Sequence, residues 1–344
     1  PPRSTLFPYT TLFRSHMAKS YKEYLKEAGN VHLSYYIEAA DILNIDYDIL
    51  VYRLMAKFTY QDKHWFIINT VTPLTNSPSA TISKRKNLTN QVLKDFNMPV
   101  PEQRQLNSAI EALQFFGEFK NIVIKPAQQL GGIGVSVLPK TEAEVIKAYD
   151  EALKENKSKS AVKVLGEEFI KGENYRFLVV GDKVIGIIRR KAAHVVGNGK
   201  DTLEELIKKA NEEKKKQVLK PILIDNEVHA KLKNDGKDMS YIPKDNEEVI
   251  LRYNCNLTTG GTTEECAKET DQYFKDVAVD AVKAVGLEFG GVDIIAEDIT
   301  KPSKCAINEV NYNPGLRLHY HADKGDIVKV AVPIMEYIRD KYLK

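Results

Sequence analysis

The sequence predicts an α+β protein of more than one lobe. Helix-like and strand-like stretches are mixed along its 344 residues, yet the regular βα alternation of a doubly wound sheet is missing. The composition, 43% hydrophobic and 28% charged, is that of a globular chain with ample material for a large core. No internal repeat and no low-complexity segment interrupts it.

Residues 1–17 read as a leader foreign to the rest. They hold two arginines and no acid, repeat a Thr-Leu-Phe phrase and end in His16-Met17, a pair typical of a cloning junction. The continuous apolar stretch of a secretory signal is missing. With Arg3 and Arg14 set aside, the formal charge of +3 shrinks nearly to neutrality, so charge offers no argument for a nucleic-acid partner. No apolar run approaches the ~20 residues that cross a bilayer, which excludes a membrane span. Three scattered cysteines (Cys255, Cys266, Cys305) fit neither a disulfide framework nor a zinc site and suit a reducing cytoplasm.

Helical spacing of apolar residues predicts one helix over 21–43, stopped at Asn44-Ile45-Asp46. Strands follow at 49–54, 57–60 and 64–68, and the proline-containing stretch 72–79 reads as a linker. A helix over 87–96 closes at Met98-Pro99-Val100-Pro101. Two β-rich runs, 121–125 and 135–138, flank a glycine turn. A helix over 141–156 opens with a capping box, Thr141 with Glu144. Strands at 161–169, 175–180 and 183–190 precede a charged helix over 201–216, whose lysines read as a solvated face. A helix over 271–285, a hairpin and a helix over 327–342 complete the chain.

Two segments point to chemistry. In Ile124-Lys125-Pro126-Ala127-Gln128-Gln129-Leu130-Gly131-Gly132-Ile133-Gly134, three glycines let backbone amides approach an anion while Lys125 supplies charge. No Gly-Lys-Ser/Thr and no helix follow, so this is not a Walker loop, and a strand follows where a dinucleotide fingerprint needs a helix. Taken alone, a flexible β-turn is the better explanation of it.

The second segment is the hairpin of 290–298 and 305–311. With its turn near Lys301-Pro302, antiparallel pairing sets Asp293 opposite Glu309, and alternation puts Asn311 on the face of Glu309. Two facing acids repel unless a cation lies between them, and an all-oxygen set suits magnesium. A solvent-facing polar row is the bland alternative.

Together these phrases resemble the ATP-grasp superfamily, in particular the ATP-grasp region of cyanophycin synthetase and the glutathione-synthetase half of bifunctional glutathione enzymes. The likeness runs from about residue 83 to the end. It rests on 121–126, 172–180 (GENYRFLVV), 194–199 (HVVGNG), 256–262 (NLTTGGT), 291–295 (GVDII) and 308–319 (NEVNYNPGLRLH). The resemblance implies an ATP-grasp fold, two α+β lobes clasping ATP behind a small N-terminal α/β lobe. The expected limits are 18–85 for the N-terminal lobe, 86–165 for the central lobe and 166–344 for the C-terminal lobe, in a standalone unit.

It also implies roles. Lys86 and Lys125 contact ATP phosphates, and Gly131, Gly132 and Gly134 form a closing loop. Glu167 begins the hinge beside adenine, and Asn174 stands near the ribose, where many relatives carry an acid. Asp293, Glu309 and Asn311 hold Mg2+, while Arg190 and Arg252 serve the γ-phosphate and an acyl phosphate. Arg317 is expected to grip a substrate carboxylate, against the alternative of pairing with Asp323 or Asp326. The expected activity is an acid–amino-acid ligase that joins a carboxylate to an amine through an acyl phosphate, with amino acid or short peptide substrates. An ATP-grasp kinase and a non-catalytic nucleotide-binding subunit are the competing readings. Neither nucleic acid nor membrane is expected as a partner, and a homo-oligomer stays open.

Overall fold

The computed structural model describes residues 19–127, 133–156, 162–216, 220–255 and 257–343. Where periodicity predicts one N-terminal helix there are two, α1 (Tyr21–Ala28) and α2 (Val31–Ile42). Gly29 is the reason. It takes a left-handed φ of 64° and closes α1 on the Leu25 carbonyl, after which Asn30 starts α2 by accepting from the His32 and Leu33 amides. Helix α2 packs between the C-terminal helix (Ala331–Leu343) and an antiparallel meander of β1 (Asp46–Val51), β2 (Met55–Tyr60) and β3 (Lys63–Ile68).

The stretch read as a linker already contains a helix, α3 (Ser77–Ser83), because Asn76 caps it through the Ser79 amide and Pro78 fits its first turn. Helix α4 (Lys86–Asp95) follows and buries Leu93 against the C-terminal core.

The central region holds β4 (Gln103–Leu106), α5 (Ala109–Phe119), β5 (Ile122–Pro126), β6 (Ser136–Val137), α6 (Glu142–Glu155) and β7 (Val164–Glu168). Its strands form an antiparallel sheet in the order β4-β7-β5-β6. Phe115, Ile122, Ile124, Val145 and Val164 fill the core beneath α5 and α6. Thr141 caps α6, but Glu144 returns to the Lys140 amide at 2.8 Å, so half of the expected capping box forms.

The C-terminal half runs β8 (Glu173–Val180), β9 (Lys183–Lys191), β10 (His194–Val196), α7 (Leu203–Lys216), α8 (Asn226–Asn234) and β11 (Glu248–Ile250). It continues with β12 (Thr262–Glu265), α9 (Gln272–Ala284), β13 (Phe289–Ala296), β14 (Cys305–Asn311), α10 (Arg317–Tyr320) and α11 (Ala331–Leu343). Five strands form one antiparallel sheet, β12-β9-β8-β13-β14. The pair β10-β11 stands apart with α7 and α8 around its own core of Leu203, Ile207, Val228, Leu232 and Val249.

Alternation along β8 positions the site. Tyr175, Phe177 and Val179 pack with α9, while Leu178 and Val180 on the other face join the core of the N-terminal lobe. That second face turns polar at Arg176 and Asn174. Among the described residues, no helix is long and apolar enough to cross a membrane.

Candidate active site

A cleft of ≈ 560 Å³ opens between the four-stranded and five-stranded sheets. Lys86, Lys125, Glu167, Asn174, Arg190, Arg252, Asp293 and Glu309 all line it. Residues 167–170 and Ile295 supply an apolar-rimmed end, and no residue before Lys86 takes part. Asn311, Arg317 and Gly134 are not in the lining, and Gly131 and Gly132 lie outside the described residues.

The hairpin fixes two of the candidate metal ligands. Strands β13 and β14 pair Asp293 with Glu309 and Gly291 with Asn311, and the register slips by one residue just after Asp293. Asp293 is only 2% exposed and is held by two guanidinium groups. Arg176, its partner across β8, binds it through two nitrogens, Nε to Oδ1 and Nη2 to Oδ2, the latter at 2.8 Å. Arg190 Nη2 donates to the same Oδ2 at 2.8 Å. Burial pushes the Asp293 carboxyl up, but Arg176 and Arg190 outweigh it and hold the group below the usual carboxylate range.

Three observations bear on whether this set suits a divalent cation. Asp293 and Glu309 face each other with hard oxygen donors, and the Glu309 carboxylate makes no hydrogen bond or ion pair among the described residues. The Asn311 amide, one pleat along, is buried with its Nδ2 unpartnered, so the side chain has an unused end. Among the described residues no cluster of three or more His, Cys, Asp or Glu could hold a metal ion by itself. The set therefore fits a hard cation that takes its remaining oxygens from a bound substrate, as magnesium commonly does.

The two candidate phosphate lysines sit differently. Lys125 Nζ donates to Glu167 Oε2 at 2.6 Å, and Gln103 Nε2 reaches the same oxygen at 2.8 Å. This pair is buried, with side chains 8% and 9% exposed. Lys86, at the start of α4, is pressed below its ordinary value by burial and then by Lys125, while Glu309, Glu167 and Asp293 pull it back up. Both lysines and all three acids thus share one electrostatic neighbourhood. The side chain of Glu167 is committed to Lys125 and Gln103, which leaves the backbone of 167–170 to face the cleft.

Asn174 donates to Cys255 Sγ at 3.4 Å, and burial pushes the Cys255 thiol up to about 11. Arg252 is 1% exposed and is clamped by Asp225 at 2.7 Å, Glu227 at 3.2 Å and the Leu223 carbonyl at 3.2 Å. It ties the end of β11 to the start of α8 as much as it faces the cleft.

Two charged groups that order the site carry no local sequence signal. Arg176 lies within the phrase of 172–180 with no role of its own, and only the pairing of β8 with β13 reveals its grip on Asp293. Glu227 collects the Tyr253 and Asn254 amides at 3.1 Å each and the Arg252 guanidinium. Its contacts lie 25 to 27 residues away in sequence, beyond any local pattern.

Residues 84–204 match the model of the phosphoribosylglycinamide synthetase ATP-grasp (A) domain. The chain is 34% identical over 272 residues to a glutathione biosynthesis bifunctional protein of Clostridium perfringens, covering 76% of this chain and 34% of that protein. It is 30% identical over 319 residues to a cyanophycin synthetase of Crocosphaera subtropica, covering 88% of this chain and 35% of the relative. It thus spans about a third of the length of these curated relatives. The crystal structure of a bifunctional glutathione synthetase from Pasteurella multocida superposes with a TM-score of 0.65 at 24% identity. That match covers 90% of this chain and 44% of the other, and shows a shared fold.

Proposed function

From the premise that this chain belongs to the ATP-grasp superfamily, we propose that it is an ATP-dependent carboxylate–amine ligase. The observation that carries the reading is the convergence of facing carboxylates (Asp293, Glu309), Arg190 and the lysines Lys86 and Lys125 in a single cleft. Cyanophycin synthetase and the glutathione bifunctional protein, its relatives, point the substrates towards amino acids or short peptides.

A carboxylate is a poor electrophile because oxide is a poor leaving group. Transfer of the γ-phosphoryl of ATP turns it into an acyl phosphate, from which an amine displaces phosphate. In this reading the backbone of 167–170 takes adenine, Asn174 stands by the ribose, and Lys86 and Lys125 bind phosphate oxygens. Lys125 must then loosen from Glu167. Asp293, Glu309 and Asn311 would hold Mg2+, which supplies charge neutralisation between the β- and γ-phosphates when bound. Arg190, released from Asp293, would stabilise the phosphoryl in flight, with Arg252 as the fixed wall behind it. The glycine segment through Gly134 would close over the triphosphate and exclude water from the acyl phosphate.

A phosphate-release screen over pairs of amino acids and dipeptides, with mass spectrometry of products, tests the proposal. Phosphate release that requires both a carboxylate and an amine, with a condensed product, is expected. ADP formation with an acceptor alcohol and no amine would make the protein a kinase instead.

A further inference from the structure

Asn174 stands at the cleft on β8, with Arg190 opposite it on β9 and Ile295 opposite it on β13. The acid next to it is already committed. Glu173 accepts from the Tyr175 hydroxyl at 2.9 Å and pairs with Arg189 at 3.2 Å. Recognition at this point of the wall therefore falls to an amide. A carboxylate presents an acceptor whichever way it turns, whereas an amide has a donor end and an acceptor end and must be oriented.

The orienting group is a thiol. Cys255, half-buried where the chain leaves β11, lines the same cleft. It donates to the Tyr253 carbonyl at 3.9 Å, which leaves the sulfur lone pairs free, and Asn174 Nδ2 donates to that sulfur at 3.4 Å. The donor end of the amide is thereby used. Asn174 Oδ1 makes no hydrogen bond among the described residues and is the end left for a ligand. The sulfur is itself held in place. Glu227, in the first turn of α8, accepts from the Tyr253 and Asn254 amides at 3.1 Å each and pairs with Arg252 at 3.2 Å, which fixes the three residues before Cys255.

We propose that Cys255 is a positioning residue that turns the Asn174 amide so that Oδ1 faces the ligand, making this wall of the cleft selective for a hydroxyl donor. Naming that donor as a sugar hydroxyl of ATP rests on the reading given under Proposed function. A nucleotide lacking the hydroxyl leaves an oriented acceptor unpaired, a loss of roughly five- to tenfold in affinity.

The test is isothermal titration calorimetry on the whole chain with ATP, 2′-deoxy-ATP and 3′-deoxy-ATP, which separates the two hydroxyls and reads no turnover. The parent should prefer ATP over one deoxy form by roughly five- to tenfold, and Cys255→Ala should cut that preference to about twofold or less, because the amide can then flip. Cys255→Ser keeps a group that both donates and accepts, and should restore most of the preference. The sharpest arm repeats Cys255→Ala in an Asn174→Asp background. A carboxylate needs no orienting, so the preference should stay where Asn174→Asp alone sets it. An equal loss in both backgrounds would make the thiol a packing group and overturn the proposal. So would a Cys255→Ala variant with the parent's preference, or a parent that binds all three nucleotides equally. Each of these leaves the ligase reading standing. The expected preferences without any amide product in the phosphate-release screen would sink the ligase reading alone.

Discussion

Strand β13 is paired on both edges, with β8 along one side from Phe289 to Ala296 and β14 along the other from Gly291 to Ala296. Across the cleft, β6 ends its sheet and pairs with β5 at only two positions, Val123 with Val137 and Ile124 with Ser136. The first hairpin holds Asp293 by neighbours on two strands, Arg176 on β8 and Arg190 on β9, with Glu309 facing it from β14. The second offers Lys125 from the sheet interior, and its edge strand is held from one side alone. One side of the cleft is therefore held at many points and the other at few, and in the proposed reading the first keeps carboxylates in place while the second moves.

The largest effect expected follows from the fixed side. Glu309→Gln keeps the shape and removes a cleft carboxylate that makes no hydrogen bond or ion pair among the described residues, so turnover should fall by roughly 10³-fold, about 4 kcal/mol of barrier, with an unchanged melting temperature. Wild-type-like ATP turnover at millimolar magnesium would remove Glu309 from the site and leave the hairpin a purely structural device.

Asp293 should behave differently, because it is already paired. Asp293→Ala leaves Arg176 and Arg190, whose side chains are only 14% and 16% exposed, without their shared anion, and should destabilise the fold by about 3–5 kcal/mol. The same pair gives a pH signature. A carboxyl whose folded value lies below its unfolded one adds stability that is complete above the unfolded value and is lost as pH falls beneath about 4. Urea titrations between pH 5 and pH 3 should show a smaller acid loss in Asp293→Asn than in the parent. Equal slopes would mean the guanidinium groups do not control this carboxyl.

Much of the fixed side was legible beforehand, and the reason is geometric. A turn centred on Lys301-Pro302 between two alternating strands leads one to expect Asp293 opposite Glu309, and the one-residue slip after Asp293 is what delivers that pair. Arg176 was not legible, since its contact depends on which strand lies beside β13, a topological fact that no local pattern encodes. Arg317 shows the opposite failure. Its place next to the metal hairpin in sequence suggests the cleft, yet the chain turns at Pro314-Gly315 and carries it to His32 instead. The N-terminal break was readable in principle, because Gly29-Asn30 is a helix stop followed by a cap, although the apolar period continues across it.

Hydrogen exchange gives the sharpest contrast between the two hairpins. Amides of 291–295 should exchange only through global opening, whereas Ser136 and Val137 should exchange orders of magnitude faster and slow down with a non-hydrolysable ATP analogue. Similar protection on both sides without nucleotide would end the distinction between a fixed and a moving wall.

The smallest effect concerns Gly134, at the foot of the moving side. Its φ of 69° is left-handed, and an added Cβ would lie 2.9 Å from Glu155 Cβ and 2.9 Å from Pro126 Cγ. Gly134→Ala should therefore cost about 1–2 kcal/mol, the usual penalty for a side chain in that conformation, since an edge hairpin can shift to relieve the contacts. The loss of stability is not the informative part. A β6 edge displaced by a few tenths of an ångström also displaces the mouth of the glycine segment, so the Michaelis constant for ATP should rise several-fold while that for the carboxylate substrate holds. If stability falls and both constants stay put, Gly134 serves the backbone turn alone, and closure over the triphosphate must be sought elsewhere in the segment.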